Sequence, residues 1–71
     1  MARNQEVIRQ WNILRELDAN RLGVHLDALA RDAGVSGRTI RRDMEALQEA
    51  GFPVYDDKNG RRTVWKVDER L

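Results

Sequence analysis

Three arginines, Arg38, Arg41 and Arg42, fall within the seven residues from Ser36 to Arg42, and no acid interrupts them. Four more bases, Lys58, Arg61, Arg62 and Lys66, fall between Lys58 and Lys66, again without an acid. The chain carries thirteen basic and twelve acidic residues, so the remaining six bases share the rest of the sequence with all twelve acids. Positive charge pooled in two short segments of an otherwise acidic body makes a directional field, which suits a polyanion docked on one face. Eleven of the thirteen bases are arginine. Its planar fork grips phosphate oxygens or a guanine edge with two hydrogen bonds, although a codon bias yields the same excess. Ser36, Gly37 and Thr39 add hydroxyls and open backbone to the first cluster, and Asn59 adds an amide to the second. These groups serve phosphate and base-edge contacts.

Other chemistries find little support. There is no cysteine and a single histidine, His25, which excludes a disulfide framework and leaves no zinc or histidine-based catalytic cluster. The Asp56-Asp57 pair has no second acidic group near it in sequence to complete a cation site. Seventy-one residues make one domain with a thin core and little wall to enclose a substrate. We therefore expect no enzyme, no catalytic residue, no metal site and no cofactor. No apolar run approaches the ~20 residues of a membrane span, and the amphipathic start at Met1 to Glu6 does not read as a signal peptide. The expected setting is cytoplasmic, at the nucleoid, with no membrane partner.

Two elements must carry the basic clusters. A first helix is read over residues 4–19, with Asn4 as N-cap and Val7, Ile8, Trp11, Leu14 and Leu17 on one apolar face and Ile13 at its edge. Trp11 is assigned to the core on that basis. A short second helix over 26–33 shows a stripe of Leu26, Leu29, Ala30 and Ala33, with His25 before it where a Ser or Thr cap is usual. Ser36 caps a third helix over 37–50, closed by Gly51. Its inward residues are Ile40, Met44 and Leu47, and Arg38, Arg42, Glu45 and Glu49 point the other way with Arg41 on the flank. Asp43 has Arg42, Arg62 or nothing as a partner.

The period then changes to that of strands. Residues 52–67 read as a hairpin about Asn59-Gly60, taken as a type I′ turn, which needs positive φ at both central residues. That register sets Phe52 against Val67, Val54 against Trp65 and Tyr55 against Val64, with Asp57 facing Arg62 as an ion pair. Phe52, Val54, Trp65 and Val67 make the apolar face, and Tyr55 is left partly exposed.

The run Leu29 to Ile40 places a short helix, a turn at Gly34-Val35-Ser36 and a capped helix in series. Ala30 allows a close crossing, Val35 plugs the corner, and the second of the two helices presents its N-terminal end outward. This is the physics of a helix-turn-helix. The predicted fold is α+β, a three-helix winged helix-turn-helix with a two-stranded C-terminal β-hairpin wing. Glu45 and Glu49 repel phosphate, so only the N-terminal half of the third helix is expected to enter a groove. Solvated arginines and a charged edge strand are the blander reading of each cluster alone. Two acid-free clusters on the two elements that such a fold aims at one duplex favour DNA.

The residues also resemble a known family. Leu29-Ala30, Gly34-Val35-Ser36, Arg38-Thr39-Ile40-Arg41-Arg42-Asp43, Leu47 and Gly51-Phe52-Pro53-Val54 look like a DeoR-like winged helix, in particular the N-terminal domain of bacterial WYL-domain transcriptional regulators. The resemblance covers nearly the whole chain. It implies a homodimeric regulator on paired half-sites, with a C-terminal sensor that in some members responds to an effector or to DNA damage. Two positions depart from the pattern. Trp65 stands where the wing often has Tyr, within Arg62 to Val67 in place of a Gly-Gly-Tyr-x-Leu ending, and His25 replaces the usual cap.

The expected function is sequence-specific binding of double-stranded DNA by residues 1–71, as a domain excised from a longer regulator near Asp68 to Leu71. Arg38, Thr39 and Arg42 are assigned to the groove. Ser36, Gly37, Arg41 and the wing residues Lys58, Asn59, Arg61 and Arg62 are assigned to backbone or minor-groove contacts. The alternatives are the regulatory DNA-binding module of an enzyme such as a biotin–protein ligase, and a winged helix used for protein contacts.

Overall fold

Three helices precede a closing hairpin in the computed structural model, which describes residues 2–68, with backbone alone for residues 2, 3 and 59. Helix α1 spans Ala2–Ala19, strand β1 Val24–His25, helix α2 Leu26–Ala33, helix α3 Gly37–Glu49, strand β2 Val54–Asn59 and strand β3 Arg62–Val67. Three helices and an antiparallel sheet make the expected α+β architecture. The tail from Glu69 to Leu71, where a linker is expected to begin, lies outside the described residues.

The first helix differs from the reading of its sequence in two respects. Ala2 and Arg3 are good helix formers, and the helix runs through Asn4, which therefore does not cap it. The buried face is also turned by about one residue. Ile13, Leu14 and Leu17 are buried, whereas Val7, Ile8 and Trp11 are exposed, Trp11 by 57%. Trp11 is thus not a core residue. It leans edge-on against Phe52, with ring centroids 6.2 Å apart at 74°, an arrangement that aromatic quadrupoles favour. The turn of α1 follows from Arg9 and Gln10, both of which point toward α3 to meet a buried carboxylate. A directional polar contact has outweighed a non-directional apolar stripe.

The core forms where the three helices meet the sheet. Leu17, Ile40 and Met44 are almost wholly buried, with Leu14, Leu29, Leu47 and Val54 around them. Two glycine-terminated ends let the helices turn tightly enough to reach it. Gly34 has φ +70°, and the Val35 N–H donates to the Ala30 carbonyl at 3.0 Å while the Gly34 N–H donates to Arg31 at 3.2 Å. Gly51, with φ +95°, repeats the pattern through Phe52 to Leu47 and Gly51 to Gln48, each 3.0 Å. Both satisfy the last carbonyls of a helix by a Schellman closure, and both then drop an apolar side chain, Val35 or Phe52, onto the core.

The sheet has three strands in the order β1-β3-β2 rather than the two expected. β1 is two residues long, with Val24 opposite Trp65 and His25 opposite Val64. A strand this short has no readable period, and it exists only because β3 offers it an edge. Gly23 makes that approach close. A Cβ there would stand 2.9 Å from Val64 Cγ2 and 3.1 Å from Lys66 Cγ, on a backbone with φ +98°. Gly23→Ala is therefore expected to cost about 1–3 kcal/mol through overlap plus backbone strain. A urea-unfolding midpoint unchanged from the parent chain would refute this.

The hairpin register is shifted relative to the expected one. Val54 faces Val67, Asp56 faces Trp65, Asp57 faces Val64 and Asn59 faces Arg62. The two loop residues are Gly60 and Arg61, and Gly60 alone has positive φ, +70°. Glycine at the first central position is the type II′ pattern. It spares Asn59 the positive φ that a type I′ turn at Asn59-Gly60 would demand. The shift is by two residues for each partner, so face assignments survive: Val54, Trp65 and Val67 still pack on the core, with Val24 beside them. The ion pair does change. Asp57 meets Lys66 across the diagonal at 3.2 Å, and Arg62 moves to the turn.

Candidate nucleic-acid interface

Ser36 begins the interface because its side chain closes the first turn of α3. Its Oγ accepts the Thr39 N–H at 3.2 Å and lies 3.1 Å from Thr39 Oγ1, which is the geometry of an N-cap. The cap occupies one of the orphan amides and leaves those of Gly37 and Arg38 at an open helix end, where the helix dipole favours an anion. Gly37 is half-buried because Leu26 lies beneath it, with Cδ2 3.5 Å from where a Cβ would stand.

From this end α3 runs for thirteen residues, about 20 Å at 1.5 Å per residue. Ile40, Asp43, Met44 and Leu47 are buried on one side. Arg38 and Arg42 lie on the opposite side, and both they and Arg41 are exposed. Among the described residues none of the three arginines has an intramolecular hydrogen bond or ion pair. Four residues apart, Arg38 and Arg42 are separated by about 6 Å along the axis. Glu45 and Glu49 are exposed one and two turns further on, so the outward face changes sign halfway along the helix.

The second basic cluster sits on the hairpin. Lys58, Arg61 and Arg62 are exposed around the turn, and Arg62 is released from the partner expected for it, since Asp57 is taken by Lys66. Asn59 is on β2, and its side chain lies outside the described residues. The hairpin is tied to α3 at its far end, where Gln48 Nε2 donates to the Val54 carbonyl at 3.1 Å.

One group escaped the reading of the sequence. Asp43 is 1% exposed, and its partners are on α1, not on α3 or the wing. Arg9 Nε and an Arg9 terminal nitrogen donate to its two oxygens at 2.5 and 2.9 Å, and Gln10 Nε2 donates at 3.1 Å. The hydrogen bond to Asp43 is also the main cause that raises the Arg9 pKa above its ordinary value, against a partial loss of solvation. The signal was in the sequence. Asp43 falls at the edge of the apolar arc of Ile40, Met44 and Leu47, and an acid buried there needs a partner. His25 caps α2 in position only. Its side chain makes no cap hydrogen bond, and its Nδ1 is buried without a partner.

The described residues include no group of three or more His, Cys, Asp or Glu able to hold a metal, and no described helix is long and apolar enough to cross a membrane. No solved structure matches the chain. A family model described as an HTH domain matches residues 9–60, from the middle of α1 to the turn of the hairpin. That span takes in α2, the Gly34 turn, the first strand of the hairpin and α3, which exposes Arg38, Arg41 and Arg42, and the chain belongs to this family of helix-turn-helix DNA-binding domains.

Proposed function

We propose that this domain reads double-stranded DNA sequence-specifically for a bacterial transcriptional regulator of the DeoR-like, WYL-containing kind. The N-terminal half of α3 enters the major groove, and the hairpin follows the backbone or minor groove. The observation that carries this reading is the set of three exposed arginines at the open end of α3, none of them hydrogen-bonded or ion-paired among the described residues. A groove about 12 Å wide admits one helix, and arginine is the residue best suited to guanine edges and phosphates there. Arg38, Arg42 and Thr39 take the groove. Ser36, Gly37, Arg41, Lys58, Asn59, Arg61 and Arg62 take phosphates or sugar edges. The sign change at Glu45 supports insertion of the first half of the helix only.

The rest of the reading extends to the whole regulator. A homodimer on paired half-sites supplies the affinity that one small interface lacks, a C-terminal sensor beyond Leu71 supplies regulation, and the setting is the cytoplasm at the nucleoid. The domain itself acts by binding, without cofactor or catalysis.

Selection from a randomised duplex pool at two salt concentrations tests the proposal. An enriched half-site recurring at helical-turn spacing is expected. Salt-sensitive binding without enrichment overturns sequence reading by this domain, and no binding at either salt overturns the DNA role. The hairpin makes a separate expectation. Substituting Lys58, Arg61 or Arg62 by Ala should flatten the dependence of log affinity on log salt by about 0.9 for each phosphate that is no longer neutralised. A slope that stays as steep as the parent's removes that residue from the interface.

A further inference from the structure

Resting on the DNA-reading function, we infer that the Arg9–Asp43–Gln10 cluster is a positioning device that sets the rotation of the reading helix, with Asp43 as its pivot. Asp43 belongs to α3, one residue after Arg42 and five after Arg38, but its side chain points the other way, into the helix bundle. Its two oxygens receive three hydrogen bonds from two adjacent residues of α1.

Energetics alone do not explain such a group. A buried ion pair is often no more stabilising than apolar side chains of the same volume, and Ile40, Met44 and Leu47 already give α3 an apolar seat. What apolar contact lacks is direction. A stripe of aliphatic side chains tolerates rotation of a helix about its axis, whereas a fork of two hydrogen bonds does not. The lever is long. At the outer radius of a helix with its side chains, about 6 Å, a rotation of 20° moves a side-chain group by about 2 Å. Recognition groups must be held within about 0.5 Å and 10–20°. Arg38 and Arg42 have no intramolecular partner to hold them among the described residues, so their placement depends on the backbone of α3.

The test replaces the cluster by apolar side chains in the 71-residue chain, Arg9→Met with Asp43→Leu, beside Arg9→Lys, which keeps the charge and loses the fork. Three quantities are read: the urea midpoint, the orientation of α3 relative to α1 from amide residual dipolar couplings, and the affinity ratio between a duplex selected by the parent chain and a shuffled duplex of the same composition. The double variant is expected to match or exceed the parent in stability, to show a rotated or averaged α3, and to lose at least tenfold in the affinity ratio. Arg9→Lys is expected to fall between the two. A double variant with α3 oriented as in the parent overturns the inference, whatever its stability. So does a double variant with a reoriented α3 and an undiminished ratio. If the parent selects no sequence, sequence reading fails as a function, and the couplings alone decide whether the cluster orients the helix.

Discussion

Replacing Arg38 and Arg42 together by alanine should reduce affinity for a duplex selected by the parent domain by about 2–6 kcal/mol, taking about 1–3 kcal/mol for each base-directed arginine. The fold should be unaffected. Both side chains are exposed and, among the described residues, neither makes a hydrogen bond or ion pair, alanine is the better helix former, and surface substitutions of this sort stay within about 0.5 kcal/mol. Fluorescence anisotropy on the selected duplex and on a shuffled one separates the two roles an arginine can play. Loss confined to the selected duplex marks a base contact, and equal loss on both marks a phosphate clamp. Glu45→Gln with Glu49→Gln provides the opposite sign on the same helix face. Removing those carboxylates should strengthen binding to both duplexes at low salt, because like charges on the proposed groove-facing side of α3 repel phosphate. A double arginine variant that binds both duplexes as the parent does would falsify the assignment of α3 as the reading helix.

The second large effect concerns stability. Ile40→Ala should destabilise the domain by about 2–5 kcal/mol, the cost of a buried aliphatic truncation with its cavity. Ile40 has no exposed surface and sits with Met44 and Leu17 at the centre of the core. For a chain of 71 residues the total stability is about 4–11 kcal/mol at the usual value per residue. The substitution therefore removes a large part of it, and thermal unfolding should begin well below that of the parent. Ile40 is also two residues from Arg38 and Arg42 but points into the core, away from their exposed side. Its DNA affinity should then fall in proportion to the unfolded fraction and recover under conditions that refold it. An Ile40→Ala domain with parental thermal stability, followed by far-ultraviolet circular dichroism, contradicts a core centred on Ile40.

Several features could be read from single positions because their physics is local. Ser36 before a run of helix formers caps α3 by its own hydroxyl, and Gly34 and Gly51 end helices because glycine takes positive φ without strain. The outward side of α3 followed from periodicity, since Ile40, Met44 and Leu47 share one side and Arg38 and Arg42 the other. The alternation of Val54, Trp65 and Val67 likewise marked the core face of the hairpin. That face held even though the register moved by two residues, because a shift of two preserves parity.

Several of the departures involve partners distant in the chain. Val7, Ile8 and Trp11 look like core in α1 alone, but which stripe is buried depends on what α1 packs against. Here Arg9 and Gln10 must reach Asp43, more than thirty residues away. β1 has two residues and is a strand only beside β3. The Asp57–Lys66 pair replaces Asp57–Arg62 because Gly60 by itself carries the positive φ of the turn.

The succession of three helices and a hairpin, the Ser36 cap, the glycine stops of α2 and α3 and the residues that bear positive charge were legible along the chain. Each depends on interactions within a few residues. Which side of α1 is buried, how the hairpin is registered and what holds α3 in rotation became visible only in the folded molecule. Those follow from directional hydrogen bonds and close contacts between segments that meet only after folding, and periodicity along one segment does not encode its neighbour.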